Sequence, residues 1–248
     1  DKGEAQRWYR KAVEQQHISA MVNLAVLLLD SSNEPNSTDV SEASGLIRRG
    51  ADAGSSDAIF NMGYLAENGI GQAKDMDEAL RWYRLGAERQ DTRAMHRLGL
   101  IYVDGIGGIA RDEATGVGWF VQAADRMLRI VNSLNAFDVL VFGLDDPRRR
   151  SNHSRLATSD PSLALKLGIY LADKKNRGRD PKEAIRLLRI AADVGVPAAA
   201  LQLGVMYAEG DGAPKNNVEA IKWFRLDPRL QTVGLLQRVT RFTDKPLP

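Results

Sequence analysis

The residues that could do chemistry are few. The chain has three histidines, 32 aspartates and glutamates, and no cysteine. His17, His96 and His153 stand alone, none in an H-x-x-x-H or H-E-x-x-H spacing that would hold zinc. Without cysteine there are no thiolate ligands, thiol nucleophiles or disulfides. No G-x-S-x-G sets up a serine nucleophile. Most carboxylates fall at expected helix starts, as Asp75, Asp77 and Glu78 do, where they cap and complement the helix dipole. No catalytic, cofactor or metal residue is therefore assigned.

Three G-x-G pairs (Gly69/Gly71, Gly105/Gly107, Gly210/Gly212) could suggest phosphate cradles. A cradle needs a strand before it and a helix start behind it; here a helix comes before, and no G-x-x-x-x-G-K-[ST] occurs. They are expected to be helix-ending turns. Arg10, Arg48, Arg84, Arg189 and Arg225 recur at one repeat position and could dock an acidic partner; local pairing with Glu and Asp is the favoured reading. The run Arg148–Arg150 follows Asp145 and Asp146, which partly neutralise it. With a net charge of +2, nothing points to nucleic acid. No apolar run is long enough to span a bilayer. Asn36-Ser-Thr and Asn152-His-Ser match glycosylation sequons and matter only in a secretory setting.

The elements that must position these residues repeat. From Asp57 to Ala87 the chain reads as a helix, a glycine-marked turn and a second helix. Ala58, Met62 and Ala66, with Phe60 and Tyr64, lie at helical spacing in the first. Ala79, Trp82, Tyr83, Gly86 and Ala87 point inward from the second. Gly63 interrupts the first helix at a cost in helix propensity, so it is expected to mark close contact with another helix. Trp82 has counterparts at Trp8, Leu46, Trp119, Leu187 and Trp223; Gly63 has them at Ala25, Gly99, Gly168 and Gly204. Both series step by 36–38 residues outside one irregular stretch.

Residues 1–127 are expected to form N-terminal repeats that open on a lone second-type helix, Lys2 to Gln15. Trp8 and Tyr9 on that helix lack an upstream neighbour, so further repeats or a cap are expected before Asp1, in a longer polypeptide. Residues 128–159 are expected to hold a degenerate repeat: a first helix within Leu128 to Gly143, burying Leu134, Phe137, Leu140 and Val141, then a polar loop from Asp145 to Ser154. Repeats resume over 160–226, and 227–248 form a tail in which Leu230 to Phe242 could cap the array.

The pattern A-x-x-x-L-G-x-x-Y-x-x-G-x-G, followed by A-x-x-W-Y/F-x-x-A-A, resembles the Sel-1-like repeat family, a relative of the tetratricopeptide repeat. Ala94–Gly107 and Ala79–Ala87 match it best, with Ala199–Gly212 and Ala220–Phe224. The resemblance implies an all-α, right-handed superhelical solenoid of antiparallel helix pairs. It also implies a non-catalytic scaffold or adaptor. The favoured setting is a bacterial envelope or signalling system, with a periplasmic or envelope location; a eukaryotic endoplasmic-reticulum quality-control adaptor, or the scaffold region of a larger enzyme, is the alternative.

In such a stack the first helices line the concave side, and each tile touches only its neighbours. Three residues before the glycine position stand Val22, Phe60, His96, Leu165 and Leu201; one after it stand Val26, Tyr64, Leu100, Ile169 and Val205. These mostly apolar columns are the candidate groove for a partner helix or extended peptide, centred on Phe60, Tyr64, His96 and Leu100 and continued by Leu165, Ile169, Leu201 and Val205. The competing expectation is that they are ordinary core.

Overall fold

A computed structural model describes residues 1–31, 38–142, 154, 157–176 and 178–226, with the side chains of 31 and 129–142 outside the description. Among these residues there are only helices and turns. The helices are α1 (Lys2–Glu14), α2 (Ile18–Ser31), α3 (Thr38–Asp52), α4 (Ser56–Asn68), α5 (Met76–Glu88), α6 (Thr92–Asp104), α7 (Glu113–Phe142), α8 (Pro161–Ala172), α9 (Pro181–Asp193), α10 (Pro197–Glu209) and α11 (Asn217–Phe224). The expected all-α array of helix pairs is what forms.

Local chemistry sets the boundaries. Asp75 accepts from Glu78 N at 2.8 Å, Asp180 from Glu183 N at 3.1 Å and Asn216 from Glu219 N at 3.1 Å, capping α5, α9 and α11. Prolines open α8, α9 and α10, where a missing N–H costs nothing. Gly69 and Gly210 end α4 and α10 in the left-handed conformation. The second glycine of two G-x-G turns, Gly71 and Gly212, has a different job. A Cβ on Gly71 would strike Ser44 of α3, and one on Gly212 would sit 2.5 Å from Pro181 O at the start of α9. The turn thus nests on the second helix of the preceding pair.

Between pairs, one residue takes positive φ: Gln16 (60°), Gly54 (87°), Gln90 (64°) and Gly195 (86°). Within pairs, the glycine of the first helix meets the residue after the tryptophan position. A Cβ on Gly63 would lie 2.6 Å from Tyr83 Cε1, one on Gly168 2.8 Å from Leu188 Cγ, and Gly99 and Gly204 face Phe120 and Phe224 in the same way. The contact expected from Gly63 is therefore with Tyr83.

Among the described residues the chain divides within α6 into two compact units, 1–98 and 99–226. In the first, α1 packs on α2, α2 on α3, α3 on α4 and α4 on α5. Its core holds Leu24, Leu28, Ile47, Ile59, Met62 and Leu65. In the second, two expectations fail. The first is a new helix beginning near Leu128: α7 runs unbroken for 30 residues to Phe142. From Met127 to Phe142 the chain offers no glycine, proline or left-handed residue of the kind that ends the other second helices. Expected buried Leu134, Phe137, Leu140 and Val141 have side chains outside the description, as do most of the 145–154 loop and all of the Leu230–Phe242 segment.

The second failure concerns neighbour-only contact. α10 packs on α9 and α11, but also on α7. Phe120 of α7 and Phe224 of α11 have ring centroids 5.3 Å apart, and Arg225 pairs with Asp104 of α6. Because α7 continues where a first helix was expected, Phe120 and its neighbours on α7 meet the last pair.

Candidate functional site

The columns predicted as a groove are largely closed. In the first unit, Phe60, Tyr64 and His96 are buried, at 2%, 4% and 2% exposure. The Phe60 ring sits 5.6 Å from Tyr83, with the Arg93 guanidinium 5.0 Å above it. Tyr64 belongs to the core cluster of α2 to α5. In the second unit Ile169, Leu201 and Val205 are core, and Leu100 and Leu165 are half-buried at its margin. Leu100 lies across the division from the other three residues of the expected centre.

The open residues are one step along the helix. Two before the glycine position stand Asn23, Asn61, Arg97, Lys166 and Gln202, none of them buried and all polar. In α4 Asn61 is flanked by buried Phe60 and Met62. One residue is about 100° around a helix, so the columns at three before and one after turn into the seams beside it. Aligning the repeats shows this column as polar in every tile, a signal that attention to apolar groove residues passes over.

One residue of that column, Arg97, holds a buried carboxylate of the first unit. Glu67, 3% exposed, ends α4. Tyr83 of α5 donates its O–H to Glu67 Oε2 at 2.9 Å. Arg97 of α6 donates Nε–H to the same oxygen at 2.8 Å, and its second nitrogen binds Oε1, a two-point grip. Burial, then the charge of Glu67, holds the Tyr83 phenol well above its ordinary pKa, so it stays a donor. Burial pulls the Arg97 pKa down, and the Glu67 hydrogen bonds and charge more than offset it.

The arginine column pairs locally. Arg10 binds Glu42, and Arg48 reaches Glu78 at 3.5 Å, each linking one second helix to the next. Glu78 also accepts from Trp82 Nε1 at 3.2 Å and from Gln72 Nε2 at 2.9 Å. Arg189 meets the Tyr207 hydroxyl, and Arg225 meets Asp104. Amides in and just after the G-x-G turns are likewise spent within the chain: Ile70 N donates to Leu65 O, Asp75 N to Ala66 O, Asp211 N to Met206 O and Asn216 N to Tyr207 O. His17 is exposed and His153 lies outside the described residues, while no group of three or more potential metal ligands occurs among those described. No described helix is long and apolar enough to cross a membrane.

The Sel1 repeat model matches residues 1–17, 56–91, 92–126, 161–196 and 197–226. It passes over 18–55, although α2 and α3 form a pair there, and over the second half of α7. A chitin synthase regulator SKT5 of Saccharomyces cerevisiae is 31% identical over 239 residues, covering 74% of this chain and 34% of that protein. A chitin synthase regulator SKT5 of Malassezia restricta is 34% identical over 117 residues, covering 46% of this chain and 8% of that protein. The chain thus spans about a third or less of the curated relatives it matches. A Sel1 repeat protein from Oxalobacter formigenes is 26% identical, with a TM-score of 0.49, over 92% of this chain and 80% of that one. The antigen c5321 of uropathogenic Escherichia coli is 24% identical, with a TM-score of 0.43, over 96% and 55%. The curated relatives are fungal, so the expected bacterial-envelope setting gains nothing from them.

Proposed function

Because the chain belongs to the Sel1 repeat family, we propose that it is a non-catalytic regulatory scaffold that binds a synthase of the chitin synthase kind. The supporting observation is the 31% identity to a chitin synthase regulator over 74% of the chain. The repeat arrangement fits binding: no tile buries its apolar face alone, so tiles stack and present first-helix residues to a partner within each unit. On that face the partner would meet the polar stripe, Asn23, Asn61 and Arg97 in the first unit and Lys166 and Gln202 in the second. Leu100 and Leu165 add half-buried apolar margin to the second unit's stripe. Phe60, Tyr64, His96, Ile169, Leu201 and Val205 would serve as the rigid wall behind the stripes.

The test uses the whole chain and membranes carrying a fungal chitin synthase. The protein is expected to co-sediment saturably with those membranes, and not with membranes lacking the enzyme. Asn23→Glu/Asn61→Glu should weaken that binding with helicity unchanged. Equal sedimentation with and without the synthase would overturn the reading, and full binding by the double variant would remove the stripe from it.

A further inference from the structure

The Glu67–Tyr83–Arg97 cluster is peculiar to one tile junction. Four residues after the glycine position, the other first helices carry Leu29, Val103, Ala172 and Ala208. In the place of Tyr83, the other second helices carry Tyr9, Ile47, Phe120, Leu188 and Phe224. Among the described helix pairs only α4/α5 has both a carboxylate and a hydroxyl there, and the two are hydrogen-bonded at 2.9 Å. The cation that completes the cluster comes from the next tile, on α6. Tyr83 is wholly buried and Glu67 nearly so, which makes the junction intolerant of an absent partner.

Near-identical tiles pose a problem of order. Any first helix offers roughly the same small and apolar contacts to its neighbour, so a tile can pair with the wrong tile, or with the same tile of another chain. We propose that buried Glu67 and Tyr83, together with half-buried Arg97, act as a key that fixes α6 as the neighbour of α4/α5. The wrong first helices would present Asn23, Asn61 or Gln202 where Arg97 stands, leaving Glu67 buried with Tyr83 and no cation. Lys166 would bring a charge but not the planar two-point grip that Arg97 makes. The key therefore acts against wrong assemblies, and its replacement by the uncharged residues of the other tiles leaves the correct assembly standing.

The experiment compares the full chain with two variants. Glu67→Leu/Tyr83→Phe/Arg97→Gln gives all three positions the residues that other tiles use there. Glu67→Gln keeps the shape and removes the charge. Each is unfolded in urea, refolded across a range of protein concentrations, and separated by size; equilibrium unfolding is measured in parallel. Both variants are expected to give a several-fold larger dimer fraction on concentrated refolding than the parent, and the triple variant a urea midpoint at or above the parent's. A dimer fraction equal to the parent's in both variants would overturn the proposal. So would a triple variant that refolds wholly as monomer with a lowered midpoint, since the cluster would then be a source of stability and not of order.

Discussion

Gly63→Ala puts the packing argument at risk in a single methyl group. A helix-interior glycine replaced by alanine ordinarily gains about 1 kcal/mol of helix propensity. At Gly63 the new Cβ would lie 2.6, 2.7 and 3.0 Å from Tyr83 Cε1, Cδ1 and Cζ. The ring cannot swing away, because it is wholly buried, packed on Phe60 and tethered through its hydroxyl to Glu67. Forcing a methyl into such a site costs about 1–3 kcal/mol. After the propensity gain, the net expectation is a loss of about 1 kcal/mol, with more if the tether yields. Gly45→Ala on α3 is the internal control: nothing stands within 4 Å of its Cβ, and it should gain about 0.5–1 kcal/mol. The natural pair Ala25 and Ile47, both fully buried, shows that the methyl is accommodated where no ring opposes it. Urea unfolding followed by far-ultraviolet circular dichroism reads both variants against the parent. A Gly63→Ala midpoint at or above that of Gly45→Ala would refute the claim that the Tyr83 ring sets the helix spacing.

Three further expectations follow from other parts of the chain. Gln90→Gly removes a side chain from a residue at φ 64° and should stabilise by about 1 kcal/mol, read as a rise in thermal midpoint; Gly54→Ala, at φ 87°, should do the reverse. Arg48→Ala removes a half-exposed ion pair and should change stability by less than about 1 kcal/mol, whereas Arg97→Ala strands the Glu67 carboxylate and should cost about 3–5 kcal/mol, both by urea titration. Hydrogen bonds from Arg186, and then from Ser154, hold the Glu183 carboxyl below its ordinary pKa against its partial burial. A depressed folded-state value means this contribution is complete above the unfolded pKa of about 4.3 and is lost as pH falls through the lower folded one. Glu183→Gln should therefore lose stability less steeply than the parent in an acid titration, and parallel curves would contradict this.

The repeat was legible because glycine and the bulky residue opposite it are physically coupled. Gly63 needs a reason to sit in a helix, and Tyr83 supplies one, as Phe120, Leu188 and Phe224 do for Gly99, Gly168 and Gly204. The turns were legible for a similar reason, since G-x-G marks a helix end and a close approach together. The course of α7 was not, because period alone predicts a new helix after Arg126, and only the lack of any helix-ending residue up to Phe142 argues otherwise. The open stripe was missed by one position: apolar residues on a first helix suggested a groove, yet with a neighbour on each side they fill seams. Glu67 gave a signal only by comparison with Leu29, Val103, Ala172 and Ala208, since a glutamate near a helix end is otherwise taken for surface.

The meeting of α7 with α10 and α11 changes how the second unit should come apart. A simple stack can fray from either end, shedding helices in sequence while the remainder persists. Phe120 and Phe224 are more than a hundred positions apart along the chain, as are Asp104 and Arg225, and their union ties the last pair back to the first. Loop-closing contacts of that span are slow to form and open only when much of the intervening chain opens too. Hydrogen exchange in α10 and α11 should thus follow the global opening of that unit, giving its far end the persistence usually reserved for the middle of an array.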